Sequence, residues 1–337
     1  MRYDRQIALD DIGVTGQEKL RNASILIIGM GGLGCPAATY LTGAGVGRLG
    51  LLDHDSVSIT NLHRQILYSE ADTGKKKVTV AADKLKALNS EVNLEVYDKK
   101  LTNDNARELI SRYDMVIDGT DNFETKYLID DACLLEEKTW IYASVYKHEG
   151  QCSVFNYKNG PTYRCLFPKI ARENITCEVT GTLGMLPGIF GMYQAMEAVK
   201  IILGTGTVLS GKLKIQNLMQ NQDLLIEITK KPEEIARIVE NGIQSMAFNC
   251  TLKDEHQLYL DVRELHEEPL IESKNILKIP LQQLEARVQE IPKHQEIQIF
   301  CQSGIRSLRA KELLENKYKF GNLKNVSGGI QTILNES

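Results

Sequence analysis

Two groups of residues along this chain have the types and spacing to do chemistry: a glycine turn suited to phosphate, and a cysteine at the end of an apolar run. The turn is Gly29-x-Gly31-x-x-Gly34, directly after Ser24-Ile-Leu-Ile-Ile28. An apolar strand that breaks into this spacing and enters a helix points unpaired N–H groups at an anion, and its glycines let the backbone approach a pyrophosphate closely. Roughly 20 residues beyond the turn, Asp53 in Gly50-Leu-Leu-Asp-His-Asp55 stands where a carboxylate reads a ribose hydroxyl. On these features alone the reading is an NAD-dependent dehydrogenase.

The residues beyond Asp55 argue against a dehydrogenase. Thr60-Asn-Leu-His-Arg-Gln65, Gly74-Lys-Lys-Lys-Val78 and Met115-Val-Ile-Asp-Gly-Thr-Asp-Asn122 bring charge to the same region. A nicotinamide needs an apolar pocket, whereas a triphosphate under attack needs cations and a carboxylate able to hold Mg²⁺. The bland readings stay open here: Lys77 ends a lysine run that also fits a solvated helix start, and Asp121 also fits a helix N-cap.

The second group is Ile297-Gln-Ile-Phe-Cys-Gln-Ser-Gly-Ile-Arg-Ser307, a strand running into a loop and then a helix over Leu308 to Leu314. Loop N–H groups and a helix terminus around the Cys301 sulfur would lower its pKa and stabilise a thiolate or persulfide. The alternative is a core cysteine on a buried strand. The loop favours the reactive reading, and Arg306 with no histidine before Cys301 favours sulfur over phosphate.

These groups need strand ends to position them. Apolar runs at Ile25–Ile28, Arg48–Asp53, Leu94–Tyr97, Met115–Asp118 and Trp140–Ser144 alternate with helical patterns near 36–44, 75–89, 103–112 and 122–137. That alternation predicts a Rossmann-like, doubly wound α/β sheet, with the motifs just past its carboxyl strand ends in one crevice. Two further extended stretches, Gln151–Tyr157 and Lys212–Gln216, flank a less regular loop. The charged segment Lys230-Lys-Pro-Glu-Glu234 reads as the start of a linker over 230–247, dividing a domain at 1–229 from a smaller α/β domain at 248–337. With 337 residues, 42% of them hydrophobic, both can have real cores. A net charge of −4 speaks against nucleic acid. No apolar segment is long enough for a bilayer, because Pro187, Gly188, Glu197 and Lys200 interrupt the run from Met185 to Leu203, which reads as a buried helix with a polar edge. Seven irregularly spaced cysteines suggest reduced thiols and a cytoplasmic protein.

The order of motifs, with Arg2-Tyr-Asp-Arg-Gln6 at the start, resembles the ubiquitin-activating-like adenylyltransferases of the MoeB/ThiF type over roughly residues 1 to 230. The spacing Cys301-x-x-Gly304-x-Arg306, with Asp261-Val-Arg263-Glu264 and Ser327-Gly-Gly329, resembles the rhodanese catalytic loop. Fusions of this kind activate ubiquitin-like sulfur carriers. The resemblance therefore implies ATP and Mg²⁺ as cofactors, a carrier ending in Gly-Gly as partner, and a cysteine desulfurase or other sulfur donor. It assigns Gly32 to the phosphate turn, Asp53 to ribose, Asn61, Arg64 and Lys77 to the nucleotide, and Asp121 to Mg²⁺ with Asn122 beside it. Arg5 would complete the site of the other subunit in a homodimer. Cys177 would take the activated acyl group or join a mixed disulfide. Which carrier is served, that of molybdopterin synthesis, thiamine synthesis or tRNA thiolation, stays open. Relatives often close a zinc site with two Cys-x-x-Cys pairs, but this chain has Thr162-Tyr-Arg-Cys165 at the first and no pair after Lys230, so no structural zinc is expected.

Overall fold

The computed structural model describes residues 2–168, 181–243, 257–264, 267, 271, 273–330 and 332–333. They fall into two compact units, one ending at residue 243 and one starting at residue 257.

The first unit is built on an eight-stranded sheet. Its strands are β1 (Ser24–Ile28), β2 (Arg48–Leu52), β3 (Asn93–Tyr97), β4 (Met115–Asp118), β5 (Thr139–Tyr146), β6 (Glu149–Phe155), β7 (Lys212–Asn217) and β8 (Gln222–Glu227), in the order β3-β2-β1-β4-β5-β6-β7-β8. Every residue of β1 and β4 is buried, as expected of inner parallel strands covered on both faces. The strand order reverses between β1 and β4, which opens a crevice at their carboxyl ends.

The doubly wound expectation holds for β1 to β5, which pair in parallel; β6, β7 and β8 depart from it by pairing antiparallel. The cause is local. Lys147 at φ 53° turns the chain back directly, so β5 and β6 form a hairpin with no helical crossover. The strand β8 has no counterpart in the sequence reading, and all six of its residues are exposed at the sheet edge.

The run from Met185 is an unbroken helix, Met185–Leu203. Pro187 lies in its first turn, where a missing N–H removes no intrahelical bond. Glu197 on its buried side pairs with Lys200 and accepts the Leu209 N–H at 2.9 Å. No helix among the described residues is long and apolar enough to cross a membrane.

Within the segment expected as a linker, Pro232–Asn241 forms a helix packed against the helices Phe123–Leu135 and Tyr163–Leu166 of the first unit. Proline at its start and Glu233 and Glu234 in its first turn suit a helix N-terminus. At this corner the Cys165 sulfur accepts N–H groups from Thr162 at 3.4 Å and Lys231 at 3.3 Å. Arg164 clamps Asp131 with two bonds of 2.6 and 2.8 Å, both side chains being buried. Beside them, burial pushes the Asp130 carboxyl up to about 7 against the N–H donors of Tyr163, Arg164 and Trp140.

The second unit is a four-stranded parallel sheet, with β9 (Leu258–Asp261), β10 (Ile276–Lys278), β11 (Ile297–Phe300) and β12 (Leu323–Asn325) in the order β10-β9-β11-β12. The helix Ile305–Tyr318 follows β11 and is longer than the sequence pattern suggests. Its Ala310 and Leu314 join Leu260, Ile297, Ile299 and Leu323 in one core.

Breaking a buried ion pair from one side leaves an uncompensated charge. Arg164→Leu is expected to lower unfolding free energy by about 3–5 kcal/mol, read from the denaturant midpoint, and Arg164→Leu with Asp131→Leu to recover part of that loss.

Candidate active sites

In the first unit a cavity of about 540 Å³ opens at the carboxyl ends of β1, β2 and β4. Gly29, Gly31 and Gly32 form its floor, with Asp53 beside them. Asn61, Arg64 and Lys77 line it from one direction, and Asp121 and Asn122 from the β4 end. The sequence motifs thus meet in one crevice.

Glycine is required at two points of the turn. Gly29 has φ 92°, and a Cβ there would lie 2.8 Å from the Gly119 carbonyl oxygen. At Gly34 a Cβ would lie 1.9 Å from the Gly29 oxygen, so Gly34 serves chain packing at the start of the helix Gly34–Ala44 and does not line the cavity. Asp53 accepts the N–H of Met30 at 2.8 Å on one oxygen and that of Asp55 at 2.8 Å on the other. It therefore pins the turn as well as facing the cavity.

Lys77 is buried and bonds Asp55 at 2.8 Å. Burial opposes ionisation of Asp55, but that bond, the Lys77 charge and the neighbouring His54 and Lys76 hold its carboxyl below the usual range. Arg64 donates to the Thr60 carbonyl at 3.2 Å and to His63 Nε2 at 2.8 Å, which aims the guanidinium along the cavity wall. Asp53, His54 and Asp55 offer ligand atoms within 4.8 Å of one another. Asp53 already holds two N–H groups and Asp55 holds Lys77, so this trio is a support for the turn.

Asp121 is exposed, and no hydrogen bond or ion pair engages its carboxylate among the described residues. The N-cap considered for Asp121 belongs to Asn122, whose Oδ1 accepts the Thr125 N–H at 2.8 Å at the head of Phe123–Leu135. Arg5 is exposed in the short helix Asp4–Ile7 and lies outside the cavity lining. Cys177 lies outside the described residues.

Sequence reasoning missed the group beneath Asp121. Lys126 Nζ, buried, bonds Asp118 Oδ2 at 2.6 Å, the Thr120 carbonyl at 2.9 Å and the Ala143 carbonyl at 3.1 Å. Asp118 in turn accepts from the Thr120 N–H and hydroxyl, and Gln194 Nε2 bonds the Asp118 carbonyl at 2.7 Å. This network fixes the backbone that presents Asp121. The available signal was a lysine amid the apolar face of a helix, next to a strand ending in aspartate.

In the second unit Cys301 directly follows β11 and is buried. Gly304, at φ 90°, donates its N–H to the sulfur at 3.1 Å, and the Ser307 hydroxyl lies 3.5 Å from it. Gly329 packs where a Cβ would come within 2.4 Å of the Cys301 carbonyl oxygen, so the late Ser327-Gly-Gly329 forms the floor of the loop. Arg263 pairs with Asp261 at 2.7 Å and reaches Gln302 of the loop at 3.5 Å. Arg306 is clamped by Glu267. Burial of the Cys301 thiol raises its pKa, but the Ser307 hydroxyl and the N–H groups of Ser307, Ser303 and Gly304 outweigh it and leave the thiol below its ordinary value. Burial moves the core thiols of Cys133 and Cys152 the other way, and pushes that of Cys35 up to about 12.

A mixed α/β unit with a glycine turn at its crevice, together with a small parallel unit with a cysteine loop, is the class that this geometry defines. Residues 3–236 match the ThiF family and residues 249–336 the Rhodanese-like domain. The chain belongs to the ThiF family. It is 37% identical over 93% of its length, and 92% of the relative's, to a probable molybdopterin-synthase adenylyltransferase of Gracilaria tenuistipitata var. liui. It is 44% identical to the adenylyltransferase and sulfurtransferase MOCS3 of Culex quinquefasciatus over 76% of this chain, and spans about 60% of that relative's length. With the MOCS3 of Anopheles gambiae the identity is 51% over 63% of this chain and 48% of the relative. Among solved structures, Escherichia coli MccB with ATP superposes with a TM-score of 0.61 at 21% identity, covering 68% of this chain and 72% of MccB, a likeness of fold.

The donors around Cys301 make a testable statement about its acidity. Alkylation of Cys301 by iodoacetamide, followed by mass spectrometry against pH, is expected to have its midpoint below the free-thiol value of about 8.5, and Ser307→Ala is expected to move that midpoint upward.

Proposed function

We propose that this chain adenylylates the C-terminal Gly-Gly carboxylate of a ubiquitin-like sulfur carrier and then delivers sulfur to it from a Cys301 persulfide, giving a thiocarboxylate. The observation that carries the reading is the meeting in one cavity of the phosphate turn, Asp53, Arg64, Lys77 and the unengaged carboxylate of Asp121.

The carrier carboxylate attacks the α-phosphate of ATP in line, forming the acyl–phosphate bond and releasing pyrophosphate, a step that asks the protein for positioning and charge neutralisation. The turn N–H groups at the head of Gly34–Ala44 receive phosphate oxygens. Asp53 reads the ribose and Asn61, Arg64 and Lys77 hold the nucleotide and its phosphates. Asp121, a hard oxygen donor at the cavity mouth, fits Mg²⁺, which when bound would neutralise triphosphate charge. The terminal sulfur of the Cys301 persulfide then displaces AMP from the acyl-adenylate. Attack by a second thiol on the Cys301 sulfur releases the thiocarboxylate and leaves a disulfide, and Cys177 is the candidate for that thiol. The names of the relatives favour the carrier of molybdopterin synthesis. A cysteine desulfurase or other sulfur donor supplies the sulfur, the chain works in the cytoplasm, and a homodimer brings Arg5 of one protomer to the triphosphate of its partner.

Carrier-dependent ATP–pyrophosphate exchange is expected to fall by roughly 100-fold in Asp121→Ala, the size of loss seen when a group that stabilises developing charge is removed. Undiminished exchange would remove Asp121 from the site. Mixing Arg5→Ala with Asp121→Ala is expected to restore part of the exchange, because a mixed dimer regains one complete site, and subunit exchange without recovery would refute the shared site.

A further inference from the structure

The cysteine loop carries a feature that the sulfur chemistry does not require. Arg306, in the first turn of the helix that leaves the loop, is the cation beside it, and each of its terminal nitrogens holds a carboxylate oxygen: Nη1 bonds Glu267 Oε1 at 2.5 Å and Nη2 bonds Oε2 at 2.6 Å. This is a fork-to-fork pair, the strongest arrangement of these two groups and the one that leaves least of the guanidinium for another anion. Glu267 is itself held in place. Its Oε1 accepts the Glu264 N–H at 2.8 Å, and its own N–H donates to the Glu264 carbonyl at 3.0 Å. Glu264, which binds it, follows the buried Arg263–Asp261 pair at the end of β9, and Arg263 also reaches Gln302 of the loop. The clamp therefore joins the segment that follows β9, the strand beside β11, to the helix that leaves the loop in which Cys301 is buried.

We propose that Glu267 is a donor-selecting residue: by occupying Arg306 it excludes small oxyanionic sulfane donors such as thiosulfate and leaves the loop to a donor that presents its sulfur as a thiol persulfide. The inference rests on the reading of Cys301 as a sulfur acceptor. With thiosulfate, the Cys301 thiolate attacks the outer sulfur, a new S–S bond forms, the old one breaks and sulfite leaves with its electron pair. The dianionic donor and the departing sulfite both need a cation at the loop, and in this chain the cation is already neutralised. With a thiol persulfide the leaving group is a thiolate that takes a proton from solvent, and no oxyanion has to be held.

The test uses the full chain and Glu267→Gln, which keeps the shape and removes the charge. Cys301 persulfide formation, followed by mass spectrometry, is expected to gain roughly tenfold in kcat/KM with thiosulfate, equivalent to about 1.4 kcal/mol, mainly through KM, and to stay unchanged with glutathione persulfide. A second readout separates charge from access. Alkylation of Cys301 by iodoacetate relative to iodoacetamide compares an anionic with a neutral reagent of similar size, and Glu267→Gln is expected to raise that ratio, whereas a loosened loop would speed both reagents alike. An unchanged ratio together with an unchanged response to thiosulfate overturns the proposal and leaves Cys301 as a sulfur acceptor. No persulfide on Cys301 from either donor, in either form, overturns the acceptor reading and the proposal with it.

Discussion

The crevice of the first unit depends on a close approach between backbones, and much else is arranged around it. The end of β1 must pass the start of the helix Gly34–Ala44 and the end of β4 with no side chain between them. Gly29, Gly34 and Gly119 meet there, and a Cβ on Gly119 would lie 2.4 Å from the Gly29 oxygen. No larger residue satisfies that geometry, so the three glycines set the depth of the crevice. Asp53 then locks the turn through Met30, and the ends of β2 and β4 come to lie on either side of it.

Charge within this crevice is organised in two tiers. Below the surface, Lys126 neutralises Asp118 and ties down the carbonyls of Thr120 and Ala143, a cluster in which every charged atom has partners, as a low-dielectric interior demands. Above it, Lys77 is held by Asp55 and Arg64 by the Thr60 carbonyl, each on a short tether. The lower tier fixes the backbone, and the upper tier keeps cationic groups close to the phosphate turn without letting them collapse onto Asp53.

Much of the site was legible in the sequence because its residues lie at strand ends in a fixed order. The glycine spacing, Asp53, Asn61 to Lys77 and Asp121 are local signals, and the turn, Asp53 and Asp121 each follow an apolar run. What escaped depends on contacts between distant segments. The Lys126–Asp118 pair and the Arg164–Asp131 clamp join positions that no periodicity links. Gln194 reaches β4 from a helix far along the chain, and Glu267 finds Arg306 across 39 residues. The antiparallel turn at β6 was hidden for another reason, since a two-residue reversal at Lys147 and His148 lacks the glycine or asparagine that marks such turns. The helix Pro232–Asn241 was obscured by composition: its proline and charges suit a linker and a helix start equally well.

The outer strand β8 bears on how the molecule behaves in solution. Leu224, Leu225 and Ile226 follow one another on it, all exposed, along an edge whose outward backbone groups have no neighbouring strand among the described residues. An apolar, unpaired strand is a template for any extended chain, so self-association there grows with concentration. Charged residues flank the apolar trio, Glu227 at one end and Asp223, paired with Lys214 of β7 at 2.9 Å, at the other, and an added strand of the same sequence would bring its own carboxylates against them. Opposition to strand addition at this edge thus rests on charges far in sequence from the cysteine loop and the phosphate turn, and screening them with salt weakens it.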